Sequence, residues 1–256
     1  MEIAGRPIGH GHPCFICAEI SSNHMGSLDN ALQLVREAKA AGADAVKFQA
    51  FTLEEILALR GGGLAAPPWD AYTKRDLYTK ALTPLDWLPV MFRLAREIGI
   101  IPFSSVFGKD SLAALEAVDC PAYKIAKPER HIAALGRILP IGKLVFVSLA
   151  YPHEGVSGYS TPVTRIYCPG GYPANVDLAT IPVMRPEGGD ILPVFGVSLH
   201  DLNPGLAPLV VQRGAKYLEY HLKLDGTTPL DDAFSHTPES FKAMVKSVRA
   251  TEALLG

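Results

Sequence analysis

The sequence predicts a single-domain (β/α)8 barrel, or TIM barrel, over residues 1–256. Short apolar segments typical of buried strands alternate with segments of helical periodicity, and eight such strands can be counted. The strands run into polar residues at their carboxyl ends, as barrel strands do at the face that carries function. A doubly wound open sheet is the alternative, but no G-x-G-x-x-G sequence follows the first strand. The strand count and the polar strand ends therefore favour the barrel.

The predicted elements follow each other in regular order over most of the chain. Strands are predicted over residues 14–20, 45–49, 100–105, 122–127, 144–148, 164–168, 194–200 and 216–221. Helices ending at residues 41, 97, 118 and 139 separate the first five strands, and another helix joins the last two. Ser27 is a candidate N-cap, Gly42 ends the first helix, and the last helix extends from 237 to 255. Each strand is thus followed by a helix or by a shortened remnant of one.

Three segments depart from this alternation. Residues 51–83 contain three consecutive glycines, two adjacent prolines and several aromatic residues, which predicts a long loop with short helical pieces over one end of the sheet. Long loops in compact domains are often functional, so this insert after the second strand is interpreted as a lid or a specificity element. The fifth helix, between Ser148 and Thr164, is reduced, and residues 174–184 predict only a poorly formed helix.

Composition restricts the class of partner. The chain has 256 residues, of which 48% are hydrophobic and 20% charged, and its formal net charge is −2. Without a global basic field, nucleic acid is not an expected partner. No uninterrupted apolar run approaches the roughly 18 residues of a membrane span, and the N-terminus lacks a signal-peptide pattern. We therefore expect a cytoplasmic protein that binds neither nucleic acid nor membrane.

The cysteines do not predict a disulfide framework. The chain has four of them, at positions 14, 17, 120 and 168, which is too few and too scattered for such a framework. Cys14 and Cys17 form a C-x-x-C sequence, for which a redox or zinc pair is one reading. The apolar residues between and after them favour the other reading, a buried strand.

The last two strands each end in a histidine, His200 and His221. If these strands are parallel neighbours with their ends in register, the two imidazoles lie side by side. Neutral imidazole is a common transition-metal ligand, and two of them near Glu219 would suit Mn²⁺, Fe²⁺ or Zn²⁺ with open coordination positions. The alternative is that each histidine caps its strand by a hydrogen bond to a loop.

Polar residues from all the strands meet at one face of a barrel. The side chains predicted there are Glu19, Lys47, Gln49, Ser104, Ser105, Lys124, Lys127, Ser148, Tyr172, Ser198, His200, Glu219 and His221. Lysines converging with serine hydroxyls indicate a pocket for a phosphate or a carboxylate. Two alternatives stay open for the lysines, which could be solvated strand ends or could include a Schiff-base nucleophile of an aldolase.

Six segments of the sequence resemble the N-acetylneuraminate (sialic acid) synthase family, which includes pseudaminate, legionaminate and spore-coat polysaccharide relatives. These segments are AEISSNHMG at 18–26, VKFQ at 46–49, YKIA at 123–126, GVSLH at 196–200, LEYHL at 218–222 and DDAFS at 231–235. They occur in order across nearly the whole chain, which makes the resemblance more specific than any one segment. The catalytic domain of that family is a TIM barrel, in agreement with the strand count.

The resemblance implies a transferase of carbohydrate biosynthesis. Its reaction would be the metal-dependent condensation of phosphoenolpyruvate with an N-acylated amino sugar, or a similar aldose, to give a sialic-acid-like 2-keto acid and phosphate. Two other functions remain open, an aldolase of a 2-keto-3-deoxy acid on the same barrel and a non-catalytic binder of sugar phosphates. The resemblance also implies a homodimer.

The resemblance assigns roles to individual residues. The catalytic residues would be Glu19, Glu219 and Lys124. The metal, Mn²⁺ in the first place and Mg²⁺, Co²⁺, Fe²⁺ or Zn²⁺ as alternatives, would bind His200 and His221. The phosphoenolpyruvate site would contain Lys47, Ser105, Lys124, Lys127, Ser148 and Ser198. The sugar site would contain Glu19, Gln49, Tyr172 and Asp231.

The sequence departs from the family pattern at three places. Lys127 stands where the family has a phosphate-binding serine, and Gly170 stands where it has an asparagine. Typical members continue into a small antifreeze-like domain that supplies an arginine to the sugar pocket of a partner subunit, and we expect no such domain here. The acceptor pocket is therefore expected to be completed by Lys127, by the insert at 51–83 or by a separate protein.

Overall fold

Eight parallel strands close into a barrel at the centre of the molecule. The computed structural model describes residues 1–126, 139–151, 162–184 and 194–256. The strands are β1 (Glu2–Ile3), β2 (Arg6–Pro7), β3 (Phe15–Glu19), β4 (Ala45–Ala50), β5 (Ile101–Val106), β6 (Ala122–Ile125), β7 (Leu144–Leu149), β8 (Val163–Tyr167), β9 (Gly196–Leu199), β10 (Tyr217–Leu222) and β11 (Ser235–His236). Strands β3 to β10 pair in chain order, and β10 pairs with both β9 and β3. The predicted barrel fold is confirmed.

Helices cover the outside of the barrel and part of its carboxyl end. The helices are α1 (Leu28–Ala40), α2 (Leu53–Arg60), α3 (Lys74–Ala81), α4 (Leu88–Glu97), α5 (Lys109–Glu116), α6 (Leu206–Gln212) and α7 (Pro238–Leu255). Two of them, α2 and α3, lie over the carboxyl end. Ser27 caps α1 by accepting a hydrogen bond from the backbone N–H of Asn30, and Thr237 caps α7 in the same way. The buried side of α1 carries Ala31, Leu34, Val35 and Ala38 at helical spacing, so an apolar stripe anchors the helix to the sheet.

Some elements differ from the sequence-based prediction. The stretch 174–184 contains a single 3-10 turn, Leu178–Thr180, in place of even a poorly formed helix. A short N-terminal hairpin, β1 with β2, and the added strand β11 beside β10 were not predicted. The predicted helix ending at 139 and the reduced fifth helix fall largely on 127–138 and 152–161, outside the described residues.

Aromatic side chains fill the lower part of the barrel. Phe146 packs against Tyr217 with ring centroids 4.7 Å apart and against Phe103 at 5.8 Å, and Phe15 stacks on Tyr217 at 6.2 Å. All four are fully buried. This layer excludes water from below, so the polar side chains one layer higher are solvated only from the carboxyl end of the barrel.

The cysteines support the interpretation of a buried strand. Cys14 and Cys17 lie at and within the first barrel strand, both fully buried, and all four cysteines of the chain are free. Burial raises the pKa of both thiols well above the usual range. None of the described helices is long and apolar enough to cross a membrane.

The insert after β4 lies over the carboxyl end of the barrel, as predicted. It contains α2 and α3, and a small apolar cluster of Phe51, Ile56 and Phe107 holds it against the loop after β5. The carboxylate of Glu55 accepts hydrogen bonds from the backbone N–H groups of Asp110 and Ser111. The indole N–H of Trp69 donates to the carbonyl of Leu230 at 2.8 Å, which ties the insert to the opposite side of the barrel mouth.

The loop after β3 is anchored by two buried side chains. The amide of Asn23 donates to the carbonyl of Leu222 and to the hydroxyl of Ser235, at 2.8 and 2.9 Å. Nδ1 of His24 accepts from the backbone N–H of Gly26, so the neutral ring carries its proton on Nε2, 3.0 Å from the hydroxyl of Thr83. Burial lowers the pKa of His24 to about 4. The loop is therefore held by a neutral imidazole.

We predict that His24 makes stability fall in mild acid. Its pKa is about 4 in the folded chain against a usual value of 6.5, so the unfolded chain takes up the proton first as the pH falls. The contribution of the neutral ring to the free energy of unfolding is therefore complete above pH 6.5 and is lost as the pH falls towards 4. Between pH 7.5 and pH 5 this group alone should remove about 2 kcal/mol from the free energy of unfolding. Urea unfolding at the two pH values measures it. The His24→Gln variant should show a smaller loss, whereas His12→Gln, at an exposed position, should match the parent; equal losses in all three would contradict the prediction.

We also predict that Arg249 stabilises the closure of the barrel at its amino end. Its guanidinium donates to the carbonyl of Cys14 and to the carboxylates of Asp44 and Glu252, each at 2.8 Å, and so joins α7 to β3 and β4. Arg249→Met should lower the free energy of unfolding by about 2 kcal/mol, because it leaves partly buried acceptors without their donor. The matched control is Lys242→Met, an exposed position on the same helix, which should change stability by less than about 0.5 kcal/mol.

Candidate active site

A cavity of about 450 Å³ opens at the carboxyl end of the barrel. The sequence-predicted site residues that line it are Glu19, Lys47, Gln49, Ser105, Lys124, Ser148, Tyr172, Ser198, His200, Glu219, His221 and Asp231. Lys127 lies outside the described residues, so its predicted role stays a prediction. Ser104 does not line the cavity, because its hydroxyl bonds the carbonyls of Phe48 and Ser105. The barrel thus brings together side chains from seven of the described strands and from the loops that follow them.

Two buried lysine–carboxylate pairs form the floor of the cavity. The ammonium of Lys47 is ion-paired with Glu19 and lies 3.6 Å from Oε1 of Glu219. The ammonium of Lys124 lies 2.5 Å from the same Glu219 oxygen. These four residues are each at most 3% exposed, so each charge depends on its partner for stabilisation. Strand register explains the arrangement, because Glu19 is paired with Lys47 across β3 and β4.

Glu219 connects the two lysines. One carboxylate oxygen accepts from Lys124 and from the hydroxyl of Ser198 at 2.9 Å, and the other accepts from the hydroxyl of Tyr217 at 2.5 Å. Burial alone would raise the pKa of Glu219, but the ammonium groups of Lys124 and Lys47 outweigh it and hold the pKa well below its usual range. Glu219 is therefore an ionised, fully bonded carboxylate that fixes the position of both lysines.

Lys47 is a cation that deprotonates more easily than an exposed lysine. Burial lowers its pKa to about 8, and the neighbouring carboxylate of Glu219 acts in the opposite direction. The ammonium also donates to the hydroxyl of Ser105 at 3.0 Å. The ammonium group of Lys47 is buried and is held by Ser105 and Glu19. An anion that enters the cavity therefore meets a strong hydrogen-bond donor in a fixed position.

Serine hydroxyls accompany the lysines around the floor. Ser105 bonds Lys47, and Ser198 accepts from Lys124 at 3.0 Å while donating to Glu219. The hydroxyl of Ser148 lies 3.4 Å from the carbonyl of Ile125 and also faces the cavity. Ammonium and hydroxyl donors on one floor are the groups that phosphate and carboxylate oxygens bind. The structure therefore brings these donors together in one cavity, and their binding of an anion stays a prediction.

The two predicted histidines stand side by side above the floor. The register of β9 and β10 pairs Leu199 with Tyr220, which brings the next residues, His200 and His221, to neighbouring positions. Their ring centroids are 5.2 Å apart. Burial, and next the neighbouring His221, lower the pKa of His200 well below its usual value. His200 is thus neutral at physiological pH, which is the protonation state that a metal ligand requires.

The two histidines could provide part of the ligand set of a divalent metal, but not a complete one. Nδ1 of His200 has no hydrogen-bond partner among the described residues. Nδ1 of His221 lies 3.4 Å from a carboxylate oxygen of Asp231. Within the described ranges, no group of three histidine, cysteine or carboxylate side chains has the spacing of a complete metal site. The alternative reading, a histidine capped by a hydrogen bond to a loop, does not describe the orphan Nδ1 of His200.

An aromatic wall extends from the histidines towards the insert. Tyr172 packs on His200 with ring centroids 4.4 Å apart, and Trp69 packs on Tyr172 at 5.1 Å. Phe234 lies 4.9 Å from the ring of His221 and 5.4 Å from that of Tyr172. Apolar ring faces with a few polar groups nearby are typical of pockets that take a small polar ligand.

Polar groups stand beside this wall. The backbone N–H of Ser21 donates to Glu19 at 2.6 Å, and the amide of Gln49 donates to the hydroxyl of Ser21 at 3.0 Å. The hydroxyl of Ser22 lies 3.5 Å from Asp231. The loop after β3 therefore connects three of the four residues predicted to meet the sugar, Glu19, Gln49 and Asp231.

Sequence reasoning missed several residues of the cavity and one residue of the layer directly below it. Tyr217 was not predicted, although it precedes Glu219 by two residues on the same strand and so shares its inward face. Phe234 gave no separate signal from its segment. The sequence indicates Trp69 only as one of the aromatic residues of the insert, and it gives no signal for Arg60 and Lys74. Nothing in the local pattern indicates which side of a loop faces a barrel mouth.

Comparison with known proteins identifies the family of this chain. The NeuB family matches residues 34–256. Pseudaminic acid synthase of Campylobacter jejuni is 32% identical over 261 residues, which cover 94% of this chain and 75% of that protein. Human N-acetylneuraminate-9-phosphate synthase is 30% identical over 271 residues, which cover 98% of this chain and 74% of that protein. The crystal structure of the spore coat polysaccharide biosynthesis protein SpsE of Bacillus subtilis superposes with a TM-score of 0.77 at 27% identity, covering 100% of this chain and 72% of that one.

These relatives are similar over almost the whole of the present chain, which spans about three quarters of their own length. The matched region contains all the strands from β4 onwards and thus most of the cavity. The resemblance and the synthase-type enzyme that the sequence predicts are confirmed. The chain therefore belongs to the NeuB family and is an enzyme of the sialic acid synthase type.

Proposed function

We propose that this enzyme condenses phosphoenolpyruvate with an N-acylated amino sugar, or a similar aldose, to give a sialic-acid-like 2-keto acid and inorganic phosphate. The observation that carries the proposal is the floor of paired lysines directly below two neighbouring histidines in one cavity. Named synthases of pseudaminic acid, N-acetylneuraminate 9-phosphate and diacetyllegionaminic acid among the relatives support an amino sugar as the acceptor.

The floor binds phosphoenolpyruvate. Lys47 and Lys124, with Ser105, Ser148 and Ser198, offer ammonium and hydroxyl donors to the phosphate and carboxylate oxygens. In the free enzyme the two ammonium charges are balanced by Glu19 and Glu219. A buried floor of zero net charge stabilises a multiply charged anion poorly, so a further positive charge is needed when the substrate binds.

A divalent metal held by His200 and His221 supplies that charge in this proposal. We take Mn²⁺ as the first choice, with Mg²⁺, Co²⁺, Fe²⁺ and Zn²⁺ as alternatives. The two imidazoles would provide two of its ligands. When bound, the metal would supply a Lewis acid beside the carbonyl group of the acceptor.

The side chains of the enzyme then position the reactants. The enol carbon of phosphoenolpyruvate bonds to the aldehyde carbon, water adds to the neighbouring carbon, and phosphate leaves, so that one water is consumed and a 2-keto group is formed. Glu19 is the carboxylate at the floor that can accept the proton of the water. Glu219 does not fit the catalytic role predicted for it as a base, because its pKa is held well below its usual range and both of its oxygens are bonded, so it positions the lysines. Gln49, Tyr172 and Asp231 orient the acceptor, and the rings of Trp69 and Phe234 exclude bulk water.

A second candidate function rests on one observation. The pKa of Lys47 is lowered to about 8, and a lysine that deprotonates readily is the nucleophile of a Schiff-base aldolase. Such an enzyme would form an imine between Lys47 and the keto group of pyruvate, with loss of water. Borohydride reduction in the presence of pyruvate would then trap a covalent adduct on Lys47. The condensation proposal expects no adduct.

We predict release of inorganic phosphate that requires phosphoenolpyruvate, Mn²⁺ and an aldose together. A panel of N-acylated hexosamines and simple aldoses tests this by phosphate detection and by mass spectrometry of the 2-keto acid. His200→Ala and His221→Ala should each lower kcat/KM by about 10² or more and weaken Mn²⁺ binding measured by calorimetry. His12→Ala, exposed at the amino end of the barrel, is the matched control and should leave both unchanged. Absence of product with every aldose would refute the proposed reaction.

We also predict that the pH profile of kcat/KM for phosphoenolpyruvate has an alkaline limb, on which activity falls as the pH rises. Lys47 is an ammonium below its pKa of about 8 and neutral above it, so kcat/KM for phosphoenolpyruvate should fall about tenfold per pH unit above pH 8. The phosphate of the substrate ionises near pH 6 and does not contribute there. In Lys47→Arg the side chain stays charged and the limb should disappear, although the absolute rate is lower. An unchanged limb in this variant would assign the ionisation to another group.

A further inference from the structure

The floor of the cavity rests on a tyrosine whose hydroxyl the proposed reaction does not use. Tyr217 is fully buried on β10, two residues below Glu219 and on the same inward face. Its ring packs against Phe146 and stacks on Phe15, with centroids 4.7 and 6.2 Å away. Its hydroxyl lies 2.5 Å from Oε2 of Glu219. A phenylalanine would make the same ring contacts, so the hydroxyl needs an explanation of its own.

The hydroxyl of Tyr217 is the donor in this contact. Burial, and next the neighbouring Cys17 and Glu219, raise the pKa of Tyr217 well above its usual value, so the phenol is neutral. Glu219 is ionised, because the ammonium groups of Lys124 and Lys47 hold its pKa low. An ionised carboxylate only accepts hydrogen bonds. The phenol therefore donates a charge-assisted hydrogen bond to the carboxylate, which is among the stronger kinds in proteins.

This bond fixes the rotation of the Glu219 carboxylate. Oε1 faces the floor of the cavity, where it accepts from Lys124 at 2.5 Å and from Ser198 at 2.9 Å. Oε2 faces down to Tyr217. The carboxylate cannot turn about its last bond without breaking contacts on both sides. One of its oxygens is thus held at the lysines and the other is held below them.

The ammonium group of Lys47 stands slightly apart from this carboxylate. It lies 3.6 Å from Oε1 of Glu219, which is beyond hydrogen-bond distance. It is instead ion-paired with Glu19 and donates to Ser105 at 3.0 Å. Without the hydroxyl of Tyr217, Oε2 would lose its donor in a dry interior. The carboxylate would then gain by turning towards the nearby ammonium group of Lys47.

A closer Glu219 would change Lys47 in two ways. The ammonium would be bound more tightly by a protein carboxylate, so an entering anion would compete for it less well. Its pKa would also rise, because Glu219 already opposes the lowering effect of burial. The other ionisable groups that act on Lys47 are Glu19, Lys124 and Cys17, and none of them contains the atom that is removed.

We propose that Tyr217 is a positioning residue for phosphoenolpyruvate, whose hydroxyl holds one oxygen of Glu219 below the floor and so leaves the ammonium group of Lys47 available to the substrate. The inference rests on the proposed function, in which phosphoenolpyruvate is the anion that binds at the floor. Tyr217 touches no reacting atom and acts through Glu219 alone.

The test compares the parent with Tyr217→Phe in the presence of Mn²⁺, phosphoenolpyruvate and an aldose that the parent uses. The variant should raise KM for phosphoenolpyruvate about tenfold and leave kcat and the KM for the aldose within about twofold. The alkaline limb of kcat/KM for phosphoenolpyruvate should move to higher pH by about half a unit or more, because Lys47 then titrates closer to Glu219.

The matched control is Tyr123→Phe. Tyr123 is also fully buried, and its hydroxyl also donates to a carboxylate that is ion-paired with a lysine, Glu116 with Lys143. It does not line the cavity or bond any of the residues that do. This variant should leave both the KM for phosphoenolpyruvate and the alkaline limb unchanged.

Each other outcome for Tyr217→Phe contradicts the inference. An unchanged KM for phosphoenolpyruvate with an unmoved limb would show that the hydroxyl does not act on Lys47. A lower kcat and a lower melting temperature with an unmoved limb would assign the hydroxyl to stability alone, and so would a variant that does not fold. A rescue adds a second measurement: p-aminophenylalanine at position 217 restores a donor on the same ring and should return KM and the limb towards the parent values.

Direct binding separates this inference from the proposed reaction. If no aldose is turned over, the condensation proposal fails, and calorimetric titration with phosphoenolpyruvate in the presence of Mn²⁺ then decides the role of Tyr217 by itself. Binding that is weakened about tenfold in Tyr217→Phe and unchanged in Tyr123→Phe supports the role. Equal binding by the parent and both variants refutes it, as does a parent that does not bind phosphoenolpyruvate. Turnover by the parent with no effect of Tyr217→Phe would leave the reaction standing and remove this inference only.

Discussion

The buried ionic cluster of Lys47, Lys124, Glu19 and Glu219 is the interaction on which the rest of this site depends. Four charges below a barrel mouth are costly to desolvate, and they are stable here because each is paired and hydrogen-bonded. The cost has a functional consequence. The lysines are held in place before any substrate arrives, so an entering anion does not have to order them.

The barrel supports this cluster by separating layers of different chemistry. Aromatic rings of Phe103, Phe146 and Tyr217 close the interior from below, and the hydroxyl of Tyr217 reaches up to bond Glu219. The two histidines stand one layer higher, at the ends of β9 and β10. Each chemical role thus has its own depth, and the depth is set by strand register, because alternate residues of a strand point into the barrel.

The insert after β4 gives the cavity its third wall. Trp69 continues the aromatic surface that begins at Tyr172, and Arg60 and Lys74 also line the cavity. A barrel fixes the reacting groups on strands and leaves recognition to the loops, which can change without disturbing the core. The choice of acceptor is therefore expected to depend more on this insert than on the strands.

The sequence by itself determined the elements and the inward-facing residue types. The apolar strands with polar ends predicted a barrel, and the ordered segments from 18–26 to 231–235 predicted the family and the residues around the cavity. Only the tertiary structure decided that Glu219 bonds Lys124 and Tyr217, that Ser104 faces away, and that Arg60 and Lys74 face in. Hydrophobic periodicity is a local property, so it can be recognised in the sequence. The partner that a side chain finds across the barrel depends on how eight strands close and how a loop folds back over them.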